Sequence, residues 1–239
     1  MIFSFRQFDI RHRDSLLKVN TDAVLLGALI QSAEPVKTIL DIGTGCGIIA
    51  LMAAQKFTDA KIDAIEIDQA SCDEAVFNFE NSKFSSRLKG HHQSLQEYEM
   101  PGFKYDLILS NPPYFESPQF SKGNNLQDIR ESRKKSATQY SLSFEELILH
   151  SSMILHEEGK LWLIIPTPAK EKIEAIGRSH KLFLQKDFSI RSKPGSDVIR
   201  SVLCFGFNEL ICETSALTIY NSDGTRHAEY VEITMEYYL

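Results

Sequence analysis

Asp41-Ile42-Gly43-Thr44-Gly45-Cys46-Gly47-Ile48-Ile49-Ala50 decides the fold. It follows the aliphatic run Thr38-Ile39-Leu40 and passes straight into a stretch of helical periodicity, which reads as strand, glycine turn and helix. Glycine adopts backbone angles closed to other residues and carries no side chain, so a ligand can approach the loop closely where the helix opens. The spacing Gly-x-Gly-x-Gly is one residue tighter than the Gly-x-Gly-x-x-Gly pattern that wraps a pyrophosphate. Asp41, ahead of the glycines, suits a ligand with a cationic end. Nineteen residues past Gly47, Glu66 closes the next aliphatic run. That matches the offset of roughly 20 for a carboxylate that binds ribose hydroxyls. Adenosine joined to a positively charged amino acid is S-adenosylmethionine, and Asp41, Gly43, Thr44, Gly45, Gly47 and Glu66 are read as its binding residues.

Outward from this loop, short aliphatic runs alternate with longer amphipathic stretches, the pattern of a parallel sheet covered by helices on both sides. Strands are expected near 38–42, 61–67, 87–92, 104–110, 160–166, 183–191 and 198–207, with helices near 47–57, 69–83, 142–157 and 168–180. Asp68 and Ser143 suit helix starts, and Pro168 suits a first helical turn. The predicted organisation is an N-terminal lid over 1–37, a core over 38–207 and an extension over 208–239. The lid holds Val24 to Ile30, enough for one helix after a short strand or hairpin. In the extension, Ser222-Asp223-Gly224 between two β-rich runs predicts a terminal hairpin. The polar segment 115–140 is expected as a mobile loop over the site.

With 239 residues and 43% hydrophobic content the chain can bury a full core. The N-terminus turns polar at Arg6, without the apolar stretch of a signal peptide, and no apolar run is long enough to span a bilayer. A cytoplasmic protein is expected. Cys46, Cys72, Cys204 and Cys212 show neither a Cys-x-x-Cys pair nor metal-ligand spacing, so they read as reduced thiols, and no metal is expected at them or at His91 and His92. A net charge of −6 argues against nonspecific coating of nucleic acid but leaves room for local patches. Residues 122–135 carry five basic residues, among them Arg130, Arg133, Lys134 and Lys135, against two acidic ones. Residues 168–200 carry eight against four, and both stretches are candidate phosphate-facing surfaces.

Asn111-Pro112-Pro113-Tyr114 follows the apolar run Tyr105–Ser110, where a buried strand should end. Proline fixes its own φ and pushes the preceding residue out of the helical region, so the acceptors of this turn have fixed directions. Asn111 offers a side-chain carbonyl, Pro112 a backbone carbonyl, and Tyr114 a ring face for stacking. Two acceptors can grip the two hydrogens of a planar amino group, whose lone pair is a poor nucleophile while delocalised. Asn111, Pro112, Pro113 and Tyr114 are therefore the candidate catalytic residues.

Asp41, the glycine loop, Glu66 and the NPPY turn together resemble the class I S-adenosylmethionine-dependent methyltransferases. The resemblance implies a Rossmann-like α/β fold: a twisted, mostly parallel seven-stranded sheet with one antiparallel strand and helices on both faces. Such enzymes close the adenine pocket with an acidic residue after strand three, where this chain has Ser94 in His91-His92-Gln93-Ser94-Leu95. NPPY is shared by enzymes that methylate adenine N6, guanine N2 of ribosomal RNA, and the glutamine amide of release factors. The ends of the chain choose among them. Phe3-x-Phe5-x-Gln7-Phe8, the run Lys18-Val19-Asn20-Thr21-Asp22-Ala23 and the tail Glu236-Tyr237-Tyr238-Leu239 look like the bacterial tRNA1(Val) adenine-N6 methyltransferases. Those act on the adenine 3′ of the anticodon, so the resemblance implies a tRNA anticodon stem-loop as partner; a monomer is expected.

The same resemblance implies that Thr21 and Asp22 lie beside the methionine end of the cofactor and Lys18 near cofactor or substrate, and Asn111 is counted among the cofactor-binding residues as well. Thr21-Asp22 also reads as an N-cap pair for the helix over 23–30. A glutamine methyltransferase of release factors is the main alternative, but such enzymes carry a helical N-terminal domain, and about 37 residues leave no room for one. A guanine-N2 enzyme fits the spacing equally.

Overall fold

The computed structural model describes residues 1–16, 18–98, 102–112 and 142–239. Strands β1 (Ile2–Ser4) and β2 (Asp9–Arg11) form an antiparallel hairpin, followed by helix α1 (Thr21–Leu29). Then come β3 (Thr38–Ile42), α2 (Ile48–Lys56), β4 (Lys61–Glu66), α3 (Gln69–Glu80), β5 (Leu88–His92) and β6 (Tyr105–Ser110). The rest of the chain adds α4 (Phe144–Ile154), β7 (Leu155–Pro166), α5 (Lys170–Ser179), β8 (Phe183–Arg191), β9 (Val198–Gly206), β10 (Glu213–Thr218) and α6 (Ala228–Thr234).

The main sheet has the order β10-β8-β9-β7-β6-β3-β4-β5, with β9 antiparallel to both neighbours and the other pairs parallel. The seven expected strands are β3 to β9. Their central members are buried along almost their whole length because helices cover both faces. One core places Ile39, Leu107, Trp162 and Ile164 against Val24, Leu51 and Phe79 of α1, α2 and α3; the other places Leu40, Ile108 and Leu163 against Leu147, Ile148 and Ile173 of α4 and α5. Asp68 caps α3 by accepting from Ser71 N, and Ser143 with Glu146 makes a full capping box on α4. Pro168 lies in the 3-10 turn Thr167–Ala169 that leads into α5.

The extension departs from a hairpin. The turn is present: Asp223 accepts from Thr225 N and Oγ1, Gly224 has φ +89°, and Tyr220 bridges Arg226. Its first limb, β10, joins β8 in parallel as an eighth strand, while its second limb coils into α6. The β-branched composition of Val231, Ile233 and Thr234 points to a strand, but Tyr230, Thr234 and Tyr237 recur at helical spacing and are the buried residues. Tyr237 N donates to nothing in a sheet; it bonds Thr234 O, and its own carbonyl accepts from Arg6 N, locking the tail to the N-terminal hairpin. Phe5 stacks on Phe8 and on Tyr238 at centroid distances of 4.8 and 5.7 Å.

Strand order reverses between β3 and β6, so the crevice outside their carboxyl ends is the place where an open α/β sheet takes a ligand. Ile42 pairs with Ser110 in that register, and Ser110 Oγ donates to Ile42 O at 2.9 Å. The glycine loop and the asparagine-proline turn leave the sheet side by side.

Candidate active site

The glycine loop is held from beneath. Gly43 N and Thr44 N both donate to Ile65 O, and Gly45 N donates to Glu66 Oε2 at 2.9 Å. Gly47 opens α2 with φ +86°, and a Cβ there would stand 2.5 Å from Cε1 of Phe79, so only glycine fits. Asp41 is fully buried. Its Oδ2 accepts from Thr44 Oγ1 at 2.6 Å and from Ala50 N at 3.2 Å, while Oδ1 has no partner among the described residues. Burial pushes its pKa up to about 7, against the pull of those two bonds and helped by the Glu66 carboxylate.

Glu66 ends β4 with Oε1 accepting from Asp68 N at 3.0 Å and Oε2 from Gly45 N. Burial raises its pKa, and the same N–H donors oppose the rise. Each carboxylate oxygen keeps a second lone pair for a hydroxyl. An orphaned acidic oxygen under the loop and a carboxylate with capacity left for a diol fit S-adenosylmethionine, which has an ammonium group at one end and a ribose in the middle.

Ser94, at the expected adenine position, donates from Oγ to Glu97 Oε2 at 2.9 Å and accepts from Glu97 N at 3.3 Å. Gln93 is fixed beside it, N donating to Glu66 O and Nε2 to Glu97 O. Ser94 is therefore paired with an acid three residues on, Glu97, and the spacing Ser94-x-x-Glu97 is the sequence signal of that local pair. His91 Nε2 lies 2.9 Å from Asp63 Oδ1, whose other oxygen accepts from Tyr105, so this histidine is a satisfied structural group.

Asn111 and Pro112 follow β6, with Asn111 only 9% exposed. Pro113, Tyr114, Arg130, Arg133, Lys134, Lys135 and the rest of the 115–140 loop lie outside the described residues. On the other side of the crevice, the capping expectation for Thr21-Asp22 shifts by one residue. Asn20 is the cap, its Oδ1 accepting from Ala23 N at 2.9 Å, because its backbone is extended while Thr21 is already helical. That leaves Asp22 to accept from Arg200 Nε at 2.8 Å on β9. Lys18 is exposed, and its carbonyl accepts from Asn20 Nδ2.

The model of the methyltransferase small domain family matches residues 18–190. Over 100% of its length the chain is 37% identical to the tRNA1(Val) (adenine(37)-N6)-methyltransferase of Flavobacterium psychrophilum, 99% of which is covered. The chain belongs to this methyltransferase family. A relative of the same description from Bacteroides thetaiotaomicron is 34% identical over 99% of the methyltransferase and 97% of that protein. The fold has a counterpart in the crystal structure of a predicted O-methyltransferase from Agrobacterium tumefaciens, with a TM-score of 0.66 over 90% of this chain and 95% of that one at 19% identity. S-adenosylmethionine is the cofactor of the methyltransferase. No helix among the described residues is long and apolar enough to cross a membrane, and no group of three metal-binding side chains occurs among them.

Proposed function

We propose that the methyltransferase transfers a methyl group to the exocyclic N6 of an adenine beside the anticodon of a valine tRNA. The observation that carries this reading is the register Ile42↔Ser110, which sets Asn111 and Pro112 next to the glycine loop at the switch point of the sheet. S-adenosylmethionine supplies a methyl on a sulfonium, already a strong electrophile. The protein therefore has to orient a nitrogen lone pair and exclude water. The Asn111 carboxamide oxygen and the Pro112 carbonyl accept the two amino hydrogens, which favours a pyramidal nitrogen and stabilises the positive charge developing on it. Pro113 stiffens the turn, and Tyr114 stacks on the base.

Asp41, Gly43, Thr44, Gly45, Gly47, Glu66 and Ser94 hold the cofactor, with Thr21 and Asp22 at its methionine end. Unpaired loop bases are the sequence-specific targets of RNA-binding proteins, and an adenine in an anticodon loop must be splayed out of its stack to reach this pocket. Lys18, Arg130, Arg133, Lys134 and Lys135 contact phosphates of the stem. The enzyme works in the cytoplasm as a monomer and needs no metal, since the sulfonium requires no Lewis acid.

The test is incubation with methyl-labelled S-adenosylmethionine and, in parallel, total tRNA, ribosomal RNA and release-factor protein, followed by digestion and mass identification of the product. N6-methyladenosine in tRNA is the expected result. Methylglutamine or N2-methylguanosine would overturn the reading.

A further inference from the structure

Helix α3 buries three polar side chains, Ser71, Glu74 and Asn78, at positions that share one face of a helix. All three hold the same piece of chain. Glu74, with a fully buried side chain, accepts from the backbone N–H of Arg13 at 2.8 Å, of Asp14 at 3.1 Å and of Ser15 at 2.8 Å, and from Arg11 Nε at 3.2 Å. Ser71 Oγ accepts from Leu16 N at 3.1 Å. Asn78 accepts from Arg11 N and donates to Arg11 O. Burial opposes the Glu74 charge, but the N–H donors of Ser15, Arg13 and Asp14 outweigh it and hold its pKa below the ordinary value.

The other ends of this ladder lie in the cofactor cleft. Asn78 Nδ2 also donates to Cys46 O, inside the glycine loop, at 2.8 Å. Ser71 Oγ donates to Asp68 Oδ2, and Asp68 N donates to Glu66 Oε1. The segment then continues through His12, whose buried Nδ1 accepts from Val19 N at 3.2 Å and so fixes where the chain enters Thr21 and Asp22. A buried carboxylate is a poor device for stability alone, since well-packed apolar residues of similar volume serve as well or better. It is a good device for holding consecutive backbone N–H groups of an irregular segment at one place.

We propose that Glu74 is a positioning residue: through the ladder it pins residues 11–16 to α3 so that Lys18–Asp22 stands over the glycine loop already shaped for the methionine end of the cofactor. This rests on the reading that Thr21 and Asp22 lie beside that end. Preorganisation of this kind strengthens ground-state binding of the cofactor, with a smaller effect on the chemical step.

The experiment compares wild type, Glu74→Gln and Ser71→Ala by calorimetry with S-adenosylmethionine, by the KM for the cofactor and kcat on tRNA, and by amide hydrogen exchange with a melting curve alongside. For Glu74→Gln we expect affinity weaker by about tenfold, a matching rise in KM, kcat within about threefold, and faster exchange confined to 11–22, as for loss of a charge-assisted hydrogen bond. Ser71→Ala, which buries no new charge, moves the same quantities in the same direction by about threefold and decides the matter should Glu74→Gln fail to fold. Unchanged cofactor affinity in the folded variants, or a fall in kcat with KM unmoved, overturns the proposal. Cofactor binding is read without an acceptor, so a wild-type enzyme that binds S-adenosylmethionine but leaves tRNA unmethylated would sink the substrate reading and leave this comparison intact.

Discussion

Asp22 on the first turn of α1 and Arg200 on β9 meet at 2.8 Å across 178 residues of sequence. Arg200 pairs with Pro166 at the carboxyl end of β7, so the contact joins the N-terminal segment to the rim of the sheet. Both side chains are roughly a quarter to a third exposed, which puts the pair between a screened surface bridge and a buried one. A double-mutant cycle with Asp22→Asn and Arg200→Gln should give a coupling of about 1 kcal/mol in chemical denaturation. Additive single-mutant effects would show that the bridge adds nothing to the closure of this rim.

Asn111→Ala should divide the two halves of the site. Glu66 is held by Gly45 N and Asp68 N, and Gly43 N and Thr44 N by Ile65 O, so S-adenosylmethionine should bind nearly as before. Turnover should fall by about 10²- to 10³-fold, the loss expected when one preorganised acceptor for transition-state charge is removed. Calorimetry showing an equal loss of cofactor binding would refute that division.

The pH dependence of the site should follow Asp41. Its pKa stands at about 7, above the ordinary 3.8, because burial disfavours the charge. Between those two values the folded chain holds a proton that the unfolded chain releases, so stability without cofactor should fall as pH rises from about 4 to about 7. The ammonium of S-adenosylmethionine favours the ionised carboxyl, so cofactor affinity should run the other way and weaken as pH drops below 7. Calorimetry in buffers of different ionisation enthalpy should detect proton release on binding at pH 6 and much less at pH 8. Asp41→Asn should abolish that release, and an unchanged proton count in the variant would assign the titration to another group.

What the sequence revealed and what it hid follow from range. Asp41, the glycines and Glu66 are legible because strand, turn and helix are local, and the carboxylate lies one β-α-β unit away. Seven strands and four core helices could be read from periodicity for the same reason. Glu97 escaped because its link to Ser94 depends on a turn whose shape no periodicity reports, although the Ser-x-x-Glu spacing was visible. The grip of Glu74 on residues 11–16, and of Arg200 on Asp22, depends on how distant segments dock, which no local pattern encodes. The extension misled because β-branched composition and helical burial spacing coincide at 230–234, and tertiary packing of Tyr230 and Tyr237 favoured the helix.

Gly47 offers a test of how tightly the cofactor loop is built. A side chain there meets two separate costs. Its φ of +86° disfavours any L-residue by about 1–2 kcal/mol, and its Cβ would stand 2.5 Å from Phe79 Cε1, an overpacking that typically costs about 1–3 kcal/mol more. Gly43 has φ +70° but no atom within 4 Å of a Cβ, so Gly43→Ala should bear the first cost alone. Gly47→Ala should therefore be the more destabilising of the two in denaturant titration. Adding Phe79→Leu should recover only the part due to the clash, because removing the ring leaves the backbone angle unchanged. Full recovery in that double variant would mean that contact with Phe79, and not backbone conformation, is what reserves this position for glycine.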